Sequence, residues 1–282
     1  MIIGVLKGGL GNQLFQYAAT RNLAHLKQTN FAFDDSELKS DEKRVLSVQH
    51  FFDLKMDLRV TAENEENATA AQIAPKNNII NKLNNSFKPW YSKRYIKEKE
   101  GESLKVFPKF PVDCILDGYW QNEGFFKEIA DDLRKDFKIN ENPLLQNYIA
   151  VHFRGGDYLD EDKKDFHGNA TEKYYFQAFE LAKKKFPNAI FHLFSDTPQH
   201  FHFQFLEKYQ TVWQSVLSDV EDLRKMATYK NFIIANSSFS WWAAWLGAKS
   251  DGLVICPSLW YKHKKLKKVS PALSVWTKFT PW

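Results

Sequence analysis

Three short runs hold the residue types that could do chemistry. They are Val151-His152-Phe153-Arg154-Gly155-Gly156-Asp157-Tyr158, Gly8-Gly9-Leu10-Gly11-Asn12-Gln13 and Asn236-Ser237-Ser238-Phe239-Ser240-Trp241-Trp242. In the first, an arginine, a histidine and an aspartate sit on a glycine-bearing turn at the end of an apolar stretch, 148–153. Arginine is a planar, always-charged fork that matches the oxygens of a diphosphate. A diphosphate leaving a sugar gathers negative charge, so a fixed guanidinium favours the transition state over the ground state. Asp157, or less readily His152, is placed to take a proton from an acceptor hydroxyl.

The glycine run follows an apolar strand and precedes a helical pattern of Leu14, Phe15, Ala18, Ala19, Leu23 and Leu26. It is not a dinucleotide fingerprint, because counting from Gly9 the last glycine position is Leu14, and it lacks the Gly-Lys-Ser/Thr of a Walker loop. Two readings stay open. The run is a tight structural turn, or it is a nest of amides with Asn12 and Gln13 at a helix N-terminus that attracts an anion. In the third run, small polar residues directly after strand 232–235 cap a helix and aim amides and hydroxyls at a ligand. Trp241, Trp242 and Trp245 read as core.

The elements that must position these runs alternate. Strands are expected at 2–6, 114–120, 148–153, 189–194, 231–235 and 252–256. Helices are expected at 171–186 (capped by Thr171), 219–229 and 239–246. Such alternation predicts a mainly parallel sheet covered on both faces. Two α/β halves join near residue 145, giving domains 1–145 and 146–282. Segment 62–88 is polar and Asn-rich, an expected insertion.

The 282 residues, 44% hydrophobic and 26% charged, are ordinary for a globular protein. Net charge is +5, with Lys262, Lys264, Lys265, Lys267 and Lys268 clustered. That cluster is a solvated loop or a patch for peripheral contact with an anionic membrane. No nucleic-acid-binding signature accompanies it, so no nucleic-acid partner is expected. Cys114 and Cys256 are too few and too far apart for a disulfide framework. No cluster has metal-ligand spacing, so no metal or other cofactor is expected. Without a charged leader or long apolar segment, the expected location is the cytoplasm, with a peripheral place on the inner membrane face as the alternative. The Asn-x-Ser/Thr matches at Asn67, Asn169 and Asn236 carry no weight there.

In order along the chain, 8–17, 151–158, Phe194-Ser195-Asp196 and 236–242 resemble the bacterial α-1,2-fucosyltransferases, glycosyltransferase family 11. Gly118-Tyr119-Trp120-Gln121 resembles that family's aromatic-Gln loop, and Cys256-Pro257-Ser258-Leu259-Trp260 its C-terminal segment. The resemblance implies a GT-B-like α/β architecture, two Rossmann-like domains facing a central donor/acceptor cleft. It implies inverting, metal-independent transfer of L-fucose from GDP-β-L-fucose to a galactose 2-hydroxyl (an α-1,2 linkage), in surface polysaccharide or O-antigen synthesis.

Carried across, Arg154 contacts the pyrophosphate and His152 orders that loop or the donor. Asn236, Ser237, Ser238, Phe239 and Ser240 line the donor pocket, with Asp196 nearby. Gly9, Gly11, Asn12 and Gln13 complete it from the N-terminal half, and Tyr119, Trp120 and Gln121 meet the galactose-containing acceptor. The family pattern is His-x-Arg-Arg-Gly-Asp-Tyr, and here Gly155 stands for the second arginine. That departure leaves two alternatives: a related transferase with another donor sugar or linkage, or a glycan-binding protein without catalysis.

Overall fold

The computed structural model describes residues 1–51, 95–99, 103–139, 147–155, 166–263, 266 and 269–282. The chain divides into two compact units, Met1–Asp136 and Phe137–Trp282. Helices of eight or more residues are numbered here together with all strands.

In the first unit, β1 (Ile2–Val5), β2 (Phe31–Asp34), β3 (Tyr95–Lys97) and β4 (Cys114–Asp117) form a sheet in the order β2-β1-β4-β3. Every pair is parallel. Between β1 and β2 the chain forms α1 (Leu10–Leu26). The turn into α1 needs a glycine at position 8, whose φ of +75° lies in the left-handed region. Leu14, Phe15, Ala18, Ala19 and Leu23 are all buried, each leucine or phenylalanine contributing about 1.5–3 kcal/mol of transfer energy. α2 (Ala130–Phe137) spans the division between the units.

In the second unit, β5 (Tyr148–His152), β6 (Ile190–Phe194), β7 (Thr211–Trp213), β8 (Asn231–Ile233), β9 (Val254–Pro257) and β10 (Thr277–Phe279) form a six-stranded sheet. Its order is β10-β9-β8-β5-β6-β7, and every pair is parallel. Counted from the β7 edge, the strands run 3-2-1-4-5-6 in chain order, the doubly wound arrangement. Its topological switch point lies between β5 and β8. α3 (Glu172–Lys185), α4 (Asp219–Met226) and α5 (Ser238–Gly247) provide the helices. Trp241, Trp242 and Trp245 are core, as their spacing predicts. Phe179 stacks on Phe191 at 4.1 Å.

Strands β2, β3, β7 and β10, three or four residues each, are not among the strands expected from the sequence. Thr171 stands at the N-cap of α3 but does not cap it; its hydroxyl donates to the Pro281 carbonyl at 2.9 Å. The lysines at 183–185 do occupy the last turn of α3. Segment 62–88 and the lysines 264, 265, 267 and 268 lie outside the described residues. Among the described residues, no helix is long and apolar enough to cross a membrane.

Candidate active site

The carboxyl ends of β5, β6 and β8 deliver three of the expected groups to one edge of the second sheet. β5 ends at His152, and Arg154 follows two residues on. The register pairs His152 with Phe194, so Ser195 and Asp196 emerge beside Arg154. Arg154 Nη1 lies 3.6 Å from Asp196 Oδ2, with the arginine side chain 20% exposed and the aspartate 48%. Such a half-open pair holds the guanidinium in place without consuming all five of its donors.

α3 fixes the sheet edge from beneath. Tyr175 donates to the His152 carbonyl at 3.0 Å, and Tyr174 donates to the Ile234 carbonyl at 2.6 Å. His152 itself is buried under Phe239, ring centroids 5.5 Å apart, and its Nδ1 has no hydrogen-bond partner. Burial, with the Arg154 charge second, pushes its pKa down to about 3. That corrects the expectation that His152 could accept a proton: burial keeps its ring neutral and weakly basic. Asp157, the other expected proton acceptor, lies outside the described residues.

After β8, Ser237 stands at the N-cap of α5 and makes no side-chain cap hydrogen bond, and no acidic residue occupies the first turn. α4 is the contrast. There Ser218 and Glu221 form a complete capping box that satisfies the helix end internally. The α5 end carries the positive end of the helix dipole with no acidic residue in its first turn, which favours an anion. Ser238 and Phe239 are partly exposed there.

Asn236 and Ser240 serve differently from the expectation that they line the pocket. Asn236 is fully buried, and its Nδ2 donates to the carbonyls of His167, Gly168 and Trp260 at 3.0–3.2 Å. Ser240 is also buried, its hydroxyl on the Ser237 carbonyl at 3.3 Å. Both brace the loops around Ser237 and Ser238.

A second polar group forms at the carboxyl edge of the first sheet. Lys7, two residues past β1, pairs with Asp117, the last residue of β4. Tyr95 donates to the other Asp117 oxygen at 2.6 Å. Burial pushes the Asp117 carboxyl up, but the hydrogen bonds from Lys7 and Tyr95 outweigh it and hold the pKa below its ordinary value. The pair therefore presents a firm negative charge and an ammonium with donors to spare.

Tyr119 is 42% exposed and lies 5.4 Å from the Lys7 ammonium, and Gln121 Nε2 donates to Asn12 Oδ1 at 2.7 Å. Glu98 holds this loop by accepting from the amides of Tyr119 and Trp120 at 2.7 and 2.8 Å. Trp120 has a φ of +54° and is completely buried against Phe107 and Phe125, which corrects its expected contact with an acceptor.

Gln13 is corrected as well. Its buried amide donates to the carbonyls of Gly8 and Val45 and accepts from the amides of Ser47 and Val48, leaving nothing for a ligand. Gly9 is the N-cap of α1, with the Arg44 guanidinium 3.4 Å from where a Cβ would stand, and Gly11 is buried in the first turn. Lys7, Arg44, Tyr95, Glu98 and Asp117 belong to none of the sequence motifs. Lys7 and Asp117 stand at strand ends, and the fold alone brings the others to this edge.

The description of Glycosyl transferase family 11 matches residues 1–280. The chain belongs to that family. An alpha-1,2-colitosyltransferase of Escherichia coli is 29% identical over 99% of this chain and 98% of that protein. The Escherichia coli O-antigen biosynthesis glycosyltransferase WbnK is 27% identical over 94% of this chain and 96% of its own length. Among solved structures, the NodZ alpha-1,6-fucosyltransferase co-crystallized with GDP matches with a TM-score of 0.48 and 14% identity, over 88% of this chain and 92% of that one. Family 11 membership makes this chain a glycosyltransferase.

Proposed function

We propose that this family 11 glycosyltransferase moves L-fucose from GDP-β-L-fucose to a galactose 2-hydroxyl, with inversion, in the building of an O-antigen or other surface glycan. The observation that carries the donor half is the placing of Arg154 and the N-terminal end of α5 on either side of the β5/β8 switch point. A guanidinium and a helix N-terminus aimed at one crevice suit a diphosphate. The acceptor oxygen attacks the anomeric carbon, the bond to the β-phosphate oxygen breaks, and GDP departs with the electron pair. Arg154 and the amides of α5 take up the growing charge, so the reaction needs no metal. Asp157 receives the acceptor proton. Tyr119 and Gln121 are the residues we assign to the glycan.

A second reading has colitose as the transferred sugar. It is favoured by the colitosyltransferase relative, which aligns with nearly the whole chain. Colitose is fucose without its 3-hydroxyl, and a site built to hydrogen-bond a hydroxyl rejects the analogue lacking it by roughly 10⁴-fold or more. The test is GDP release from GDP-fucose and from GDP-colitose, with lactose as acceptor and EDTA present. Lactose-dependent release from GDP-fucose supports the first reading, and release from GDP-colitose alone supports the second. Release from neither, with no GDP binding, removes both.

A further inference from the structure

We infer that Gly155 and Thr197 act as one coupled position that sets donor affinity, with Thr197 a wall of the site for the nucleoside diphosphate. The inference rests on the donor reading above. Gly155 follows Arg154 at the end of β5, and Thr197 follows Asp196 at the end of β6, on adjacent parallel strands. A Cβ added at Gly155 would overlap the Thr197 hydroxyl and lie 3.0 Å from Asp196 Oδ1 and 3.1 Å from Thr197 Cβ. Among the described glycines, only Gly8 and Gly168 have positive φ. Position 155 is therefore glycine for room, and the Thr197 side chain is what takes that room.

The exchange has a chemical consequence. The Thr197 amide donates to Ser195 Oγ at 3.1 Å and its hydroxyl to Asp196 Oδ1 at 3.4 Å. Asp196 in turn faces Arg154. Thr197 thus presents a small neutral hydroxyl beside the guanidinium, at the place from which a side chain on residue 155 would reach the ligand. Any side chain at 155 must move the Thr197 hydroxyl and crowds the Asp196 carboxylate that faces Arg154. A change at one position is therefore felt at the other.

A double-mutant cycle on GDP binding tests this, read by calorimetry alongside thermal melts. Gly155→Ala alone should weaken GDP at least tenfold and lower the melting temperature. Adding Thr197→Gly should bring the affinity to within threefold of Thr197→Gly alone and recover the melt. Thr197→Val, which keeps the volume and loses the hydroxyl, should melt like wild type yet bind GDP several-fold more weakly. Independent, multiplying effects, or a Gly155→Ala protein that binds GDP as wild type does, would overturn the coupling. Wild-type affinity in Thr197→Val would overturn the ligand contact. Absence of GDP binding by the wild type itself would overturn the donor reading first, and this ligand with it.

Discussion

Tyr175 reaches from α3 to the carbonyl of His152 at 3.0 Å, two residues before Arg154. The bond ties the rigid helix to the strand end on which the expected charge-stabilising residue stands. Tyr175→Phe keeps the ring and leaves a buried carbonyl unpaired, which costs about 1–3 kcal/mol. Chemical denaturation should show that loss, and kcat should fall while the donor KM changes less. Unchanged stability and turnover would mean that the strand end is held by other contacts.

Arg154→Ala should lower kcat by roughly 10²–10³-fold, the scale of one preorganised charge-stabilising donor. Arg154→Lys should restore little, because a point charge cannot form the bidentate fork. Steady-state kinetics of folded variants decide this; near-normal turnover in the alanine variant would remove Arg154 from the chemistry.

Asp157→Asn should lower kcat by about 10²–10⁴-fold if its carboxylate is the proton acceptor. A variant that folds and keeps most of its kcat assigns the proton to another group. Burial leaves His152 too weakly basic to take over.

The same burial gives His152 a pH signature. Its folded pKa of about 3 lies below its ordinary 6.5, so in the interval between them the unfolded chain binds a proton that the folded chain refuses. Its contribution to stability is whole above pH 6.5 and is lost as pH falls toward 3, by up to about 1.4 kcal/mol per pH unit. Melts between pH 7.5 and 4.5 should fall more steeply for wild type than for His152→Asn. Parallel profiles would contradict this assignment.

Tyr119 and Trp120 are neighbours with opposite fates, and their variants should separate. Trp120→Ala removes a fully buried ring and should cost about 3–5 kcal/mol. Tyr119→Ala, at an exposed position, should stay within about 0.5 kcal/mol of wild type and raise the acceptor KM. A Tyr119 variant with unchanged acceptor KM would take that ring out of glycan binding.

The sequence by itself determined the alternation of strands and helices, the tryptophan core of α5 and the arginine at the end of β5. These are local properties: apolar runs, periodicity and the residue after a strand are written within a few positions. The family was legible too, because its motifs keep their order along the chain. What only the tertiary structure decided is which polar residues are left for a ligand. Gln13, Asn236 and Trp120 read as ligand-facing because amides and indoles suit nucleotides and sugars. Gln13 is instead consumed by partners such as Val45, the Asn236 Nδ2 group bonds the Trp260 carbonyl, and Trp120 is packed away among aromatic rings. Burial is a sum over contacts that no local pattern records. The same holds for Lys7 with Asp117, and for Gly155 with Thr197, which meet only because parallel strands carry their ends to one edge of a sheet.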